Sequence, residues 1–394
     1  MKIIPAKRME DYEEGIFQVL NEKKQETEKR GQKVYNFSVG TPDFEPARHI
    51  MEAVAKAAQK PENYKYSLTD LPELTQAVID RYHTRYQVTL KPSEVMSVYG
   101  SQEGISHIGL SLVDPGDIVL VPDPGYPIFG IGPALAGADV RCYELLPEKN
   151  YLPDLAEIAA EYGKGSQHKA KVMIVSYPLN PICKTAPDSF YEALIPWAEE
   201  NEILIIHDNA YSDIVYDGKK GRSILSFDGA GKVAVEFYSL SKSYNYTGAR
   251  MSFLVGNEAV IRNFEKLRSQ IDYGIFYPVQ YGAIAALTGP DNMVLEQCEE
   301  YEKRRNALCD GFTAIGWKFD RSEGTMFAWA KIPESFGADD VRFVTTLLEK
   351  TGVLCTPGSS FGTHGKGYVR FALVLPVETI KEALKTVDKS GILK

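Results

Sequence analysis

The sequence of 394 residues holds only six histidines, with no HxxxH or HxH spacing, so a histidine-built metal site is not expected. Its five cysteines, Cys142, Cys183, Cys298, Cys309 and Cys355, are scattered without a CxxC pair. An odd, dispersed set reads as free thiols in a reducing compartment, not as a disulfide framework. No apolar run nears the ~20 residues needed to span a bilayer. The opening MKIIPAKRMEDYEEG lacks the apolar segment of a signal peptide. A cytoplasmic protein that does not bind membranes is therefore expected. Positive charge is in deficit as well: the net charge of −9 removes any general attraction for nucleic acid. Common nucleotide and hydrolase signatures are missing. FGIGPALAG lacks the third glycine of GxGxxG, and neither GxxxxGK[ST] nor GxSxG occurs. There is no internal repeat and no low-complexity linker.

What is present is an ordinary globular composition, 44% hydrophobic and 25% charged, long enough for a large core and two domains. VMSVYG, DIVLVPD, DVRCYEL, KVMIVSYP, ILIIHDNA, VAVEFYSL and RMSFLVG, between Val95 and Gly256, all read as strands. Several are almost continuously aliphatic, as strands covered on both faces are. An α/β domain with a mostly parallel sheet follows. QEGISHIGLSLV and FYEALIPWAEEN read as helices between strands. After Gly256 the pattern turns helical, then mixed, which suggests a smaller α+β domain carrying the N-terminal ~45 residues as well.

Several residues at the ends of these strands are suited to chemistry. In SLSKSYNYTGARMSFLVG, Ser239 and Ser241 can face one object if the segment is extended. Arg250 can offer a bidentate fork to a phosphate, and the Lys242 amine can form a Schiff base with a carbonyl. The same stretch also reads as an ordinary solvated basic turn. In YGSQEGISHIGL a helix starts with Ser101 as its N-cap, and such an end can hold a phosphate or bind nothing. Asp208 closes a very apolar strand, with Tyr211 in the loop beyond it, where a ligand crevice is expected in a parallel sheet. Its carboxylate can pair with a protonated ring nitrogen or cap the next segment. His207 reads as a packed core histidine. Asn180 and Tyr126 also lie just past strands, and an aromatic there can stack on a planar cofactor or be a routine loop residue. Arg370 sits inside an apolar strand, where it needs a substrate carboxylate or an internal acid as partner.

Taken in order, GTPDF (Gly40 to Phe44), GSQEGI, DPGYP, Asn180-Pro181, DNAY, SLSKSYNYTGAR, PGSSFG and YVRFAL resemble the pyridoxal-phosphate aminotransferases of fold type I, class I/II. The resemblance covers nearly the whole chain. It implies a large cofactor-binding domain over 46–290 and a small domain of 1–45 with 291–394. It implies Lys242 as the Schiff-base lysine, Asp208 on the pyridine nitrogen, and Tyr211 with Asn180 on the ring hydroxyl. Tyr126 would stack on the ring. Ser101, Gln102, Ser239, Ser241 and Arg250 would hold the phosphate. Gly40, Asn180 and Arg370 would meet the substrate, with Arg370 on its α-carboxylate. Tyr66 would reach the phosphate of a neighbouring subunit in a homodimer. The substrates would be an L-amino acid and a 2-oxo acid.

Within the class, SKSYNYTGARMSFLVGN, GIFYPVQYGAIAAL and GSSFGTHGKGYVRFAL look most like the LL-diaminopimelate aminotransferases and relatives acting on alanine, aspartate or glutamate. The sequence departs from the pattern at three places. Ile182-Cys183 replaces the usual Thr-Gly after Asn180-Pro181. The Tyr66 segment is one residue short. Gln102 stands where the diaminopimelate group commonly has lysine. A carbon–sulfur β-lyase of the same fold is the alternative enzyme, and a non-catalytic pyridoxal-phosphate-binding regulator is a remoter one.

Overall fold

The computed structural model describes residues 1, 3–9 and 16–393; residues 10–15, part of the stretch read above for a leader, lie outside them. Two compact units emerge. The larger is Thr41–Glu302 with Ser322–Met326, and the smaller is Met1–Gly40, Lys303–Arg321 and Phe327–Lys394. Among the described residues no helix is long and apolar enough to cross a membrane.

The first strand, β1 (Tyr35–Asn36), belongs to the smaller unit. The larger unit is built on β2 (Val95–Val98), β3 (Ile118–Asp123), β4 (Asp139–Glu144), β5 (Ala170–Val175), β6 (Leu204–Asp208), β7 (Ala234–Ser239) and β8 (Ser252–Gly256). These are the seven runs read as strands, and they form one sheet in the order β2-β8-β7-β6-β5-β3-β4. Only β8 runs against its neighbours; the other pairings are parallel. Every residue of β2, β3 and β7 is buried, whereas in β4 only Tyr143 is.

The two-residue period of β7 sorts its side chains. Val235 and Phe237 enter a core with Val119, Val172, Ile206 and Phe264. Tyr238 enters another with Tyr82, Tyr244 and Phe253. Glu236, between them in sequence, is fully buried yet satisfied. It accepts hydrogen bonds from the Tyr82 hydroxyl at 2.7 Å and the Ile224 N–H at 3.0 Å, and pairs with His207 Nδ1 at 2.8 Å. His207 is thus a core histidine, as read from the sequence.

In the smaller unit β9 (Phe327–Lys331), β11 (Thr356–Pro357) and β12 (Tyr368–Ala372) form an antiparallel sheet with β12 central. β10 (Val353–Leu354) pairs in parallel with β1. The N-terminal segment therefore joins this unit through backbone hydrogen bonds, which composition alone does not specify.

Candidate active site

Parallel strands place their carboxyl ends along one edge of a sheet, and the loops there are where α/β proteins bind ligands. Asp208 ends β6, Ser239 ends β7, Tyr126 follows β3, Asn180 follows β5, and Gly100 follows β2. All of these, with Gln102, Tyr211, Ser241, Lys242 and Arg250, lie in the larger unit.

One group of them is joined directly. The Ser101 N–H donates to Ser252 Oγ at 3.1 Å, and Ser252 Oγ donates to Ser239 Oγ at 2.8 Å. The Ser241 N–H also donates to Ser239 Oγ, at 3.2 Å. The start of the helix Ser101–Leu112 is thereby tied to the end of β7 and the start of β8. Arg250 takes a left-handed φ of 56° and donates from Nη1 to the Thr247 carbonyl at 3.1 Å. Its guanidinium stands against Gly100. Beside it, the Tyr126 hydroxyl donates to Gln102 Oε1 at 3.3 Å.

Two local expectations are corrected. Ser101 is not the N-cap; Gly100 is, with φ 87°. The positive φ calls for glycine at residue 100, where a Cβ would also press on Arg250 Nη2 at 2.3 Å, and the helix starts one residue earlier than a Ser101 cap would place it. Ser101 Oγ, released from capping, is buried and meets no hydrogen-bond partner among the described residues. Nor does the segment stay extended from Ser239 to Ser241. Ser239 caps a single helical turn, Leu240–Ser243, because its hydroxyl accepts the Ser241 N–H. Lys242 therefore sits in that turn, not on an extended strand. Its carbonyl accepts from Gln297 Nε2 at 2.7 Å, and Gln297 Oε1 accepts from Asn245 Nδ2 at 2.7 Å.

Asp208 is buried, and among the described residues no donor reaches its Oδ1. Loss of solvation pushes its carboxyl up to about 6, against the pull of His207 and the Ala210 N–H and with a smaller push from Glu236. The Ala210 contact is that of a cap; the other oxygen is left for something else. Tyr211 and Asn180 are buried nearby in sequence and strand order. Cys183 adopts φ 66°, the left-handed conformation suited to the glycine of the family pattern. Its N–H donates to the Leu179 carbonyl at 2.6 Å, closing the turn around Asn180-Pro181.

These features fit pyridoxal phosphate. A long helix's N-terminus, a buried unpartnered serine hydroxyl and a guanidinium suit a phosphate. A buried carboxylate oxygen without a donor suits a protonated ring nitrogen.

Three expected residues are not joined to this group. Tyr66 is exposed, its ring 5.0 Å from that of Tyr273. Gly40 and Arg370 belong to the smaller unit. There Arg370 is buried, with Nη2 donating to the Ser38 carbonyl at 3.2 Å. Sequence patterning did not point to Ser252, Gln297 or Asn245. Ser252 alone carried a signal, since it opens the strand that follows Arg250.

The aminotransferase class I and II family profile matches residues 32–387. The chain is 40% identical to an LL-diaminopimelate aminotransferase of Desulforudis audaxviator, over 98% of this chain and 97% of that protein. It is 38% identical to the glutamate-pyruvate aminotransferase AlaC of Escherichia coli, over 94% and 90% respectively. Its fold is similar to substrate-bound BacF of Bacillus subtilis, with a TM-score of 0.93 at 33% identity, covering 99% of this chain and 98% of that one. The match spans the sheet, the loops at its carboxyl edge and both units, and the protein belongs to the aminotransferase class I and II family, as an aminotransferase of fold type I.

Proposed function

We propose that the protein transfers an amino group between an L-amino acid and a 2-oxo acid with pyridoxal phosphate as cofactor, and that Lys242 is its Schiff-base lysine and proton shuttle. The observation that carries this reading is Asp208, a buried carboxylate whose Oδ1 meets no donor among the described residues, on the strand next to the one leading to Lys242. When bound, the cofactor supplies an electron sink for the pair left when a substrate Cα–H bond breaks. Asp208 keeps that sink strong by holding the ring nitrogen protonated. Ser101, Ser239, Ser241, Arg250 and the helix N-terminus, with Gln102 beside them, anchor the phosphate. Tyr126 stacks on the ring, and Asn180 and Tyr211 hold its hydroxyl. Lys242 Nζ would hold and move the proton of the substrate Cα. Arg370 binds the substrate α-carboxylate, and Gly40 leaves room for substrate.

The named relatives suggest LL-diaminopimelate or glutamate as amino donor and pyruvate as acceptor, and the resemblance adds alanine and aspartate. Free thiols at all five cysteines suit a reducing cytoplasm. A homodimer is supported by an exposed apolar patch on the larger unit. Tyr64 and Phe276 lie 5.2 Å apart, beside the Tyr66–Tyr273 pair, and Leu68 is also exposed. A second copy covering this patch would bury Tyr66.

The test begins with borohydride reduction of the yellow protein, which should fix the cofactor on the peptide holding Lys242. Label on another lysine refutes the assignment. A panel of amino donors against 2-oxo acids should then show transfer that needs both partners. Release of a 2-oxo acid without an acceptor would instead indicate the β-lyase.

A further inference from the structure

Arg370 lies at the centre of the smaller unit's sheet, on β12 between β11 and β9. A guanidinium that is only 1% exposed needs something to fix its plane. Its direct cross-strand neighbour is Trp329, and Phe327 is two residues along β9, on the same face. The guanidinium carbon sits 4.0 Å from the Phe327 ring centroid and 4.7 Å from that of Phe361. Both rings are buried. The Ser38 carbonyl holds one end of the group, and the same carbonyl accepts from Thr356 Oγ1 at 2.9 Å. Two residues on, Gly40 backs the Phe327 ring so closely that a Cβ there would lie 2.4 Å from its Cζ.

From this we infer that Phe327 and Phe361 are positioning residues for α-carboxylate recognition, acting through Arg370; the inference rests on the transamination reading above. A ring face attracts the cation through its quadrupole and fixes its orientation without taking up an N–H, as an acidic partner does. A ring face also brings no opposite charge of its own to the guanidinium. Only the planar guanidinium can stack in this way; a lysine ammonium at the same place is a point charge on a flexible stem. Gly40 gains a second reason for being glycine: it makes room for the Phe327 edge, so that the ring's face can meet the arginine.

The experiment uses the holoenzyme and two unlike amines. One is 2-aminoisobutyrate, which carries an α-carboxylate but no α-proton. The other is ethylamine, which has no carboxylate. Binding of each is followed by the change in cofactor absorbance. Phe327→Leu and Phe361→Leu should weaken 2-aminoisobutyrate by about tenfold or more and leave ethylamine within about twofold. Phenylalanine bearing one, two or three ring fluorines at position 361 keeps the shape and drains the ring face. Affinity for 2-aminoisobutyrate should fall stepwise along that series while the melting temperature stays level. Equal losses for both amines, or no trend with fluorination, would show the rings to be only packing and overturn the inference. A native holoenzyme that binds ethylamine as well as 2-aminoisobutyrate would refute the role of Arg370 and this inference with it. A native spectrum that responds to no amino acid of the donor panel would refute transamination itself.

Discussion

Gly100 and Arg250 stand so close that a methyl group on Gly100 would lie 2.3 Å from a terminal guanidinium nitrogen. Arg250 thereby faces the N-terminus of the helix that begins at Ser101. Gly100→Ala would force a side chain into φ 87°, ψ 151°, a region kept almost to glycine, at about 1–3 kcal/mol. It would also push the guanidinium aside. Both a lower melting temperature and pyridoxal-phosphate binding weaker by about tenfold or more are expected, read by calorimetry and by titration of the cofactor-free protein.

Asp208→Asn should lower kcat at least about a hundredfold, the scale of a strong electrostatic contribution. Near-normal kcat with intact cofactor binding would sink the role. The same carboxylate leaves a mark on stability. Its folded pKa of about 6 lies above the ordinary 3.8, so between those values the folded state binds more protons than the unfolded one. Stability of the cofactor-free protein from this group is therefore full below pH ~4 and falls as pH rises toward ~6, by about 3 kcal/mol in total. Denaturant titrations across that range should show Asp208→Asn gaining on the native protein, then holding a constant lead at higher pH.

Asp213, five residues on, should behave oppositely. It is buried with Arg85 Nη2 at 2.6 Å and Arg81 Nη2 at 3.5 Å. Burial alone would raise its carboxyl, but Arg85 and then Arg81 outweigh it and hold it below the ordinary range. Its contribution is present above the unfolded pKa and is lost as pH falls through it. Asp213→Ala takes this acid from half-buried Arg85, while buried Arg81 keeps Asp291 at 2.6 Å, and should cost about 3 kcal/mol in denaturant unfolding near neutral pH. A loss under about 1 kcal/mol would mean the pair behaves as a solvated one.

Tyr66→Phe tests whether the site is shared between two subunits. If the hydroxyl bonds a partner's phosphate, cofactor affinity should drop by about 0.5–1.5 kcal/mol for a neutral bond and up to ~3 for a charge-assisted one. Dilution toward monomer should release cofactor. A fully active monomer in sedimentation analysis would rule out the shared site.

Much of the larger unit was legible because its strands are buried on both faces and so spell continuous aliphatic runs. The residues at their carboxyl ends were legible because polar side chains follow largely apolar runs: Asp208 comes soon after Leu204–Ile206, and Ser239 after Phe237 and Tyr238. The cap at Gly100 was not. A serine before an apolar helix is the usual N-cap, and only the approach of Arg250, 150 residues away, shows why glycine takes that place. Gln297, on the long helix Asn292–Ala314, was equally silent, since its bond to the Lys242 carbonyl joins positions 55 apart.

The sequence by itself determined which segments become strands and helices, and which residue types stand at strand ends, because burial and backbone geometry act over a few neighbouring positions. Tertiary structure alone decided the order β2-β8-β7-β6-β5-β3-β4 and the Ser101–Ser252–Ser239 chain. It alone decided the burial that lifts Asp208 and the rings that hold Arg370. Each of these is a contact between residues far apart in the chain. Whether a carboxylate finds a donor, or a cation a ring, depends on what packing brings beside it, and no local pattern encodes that.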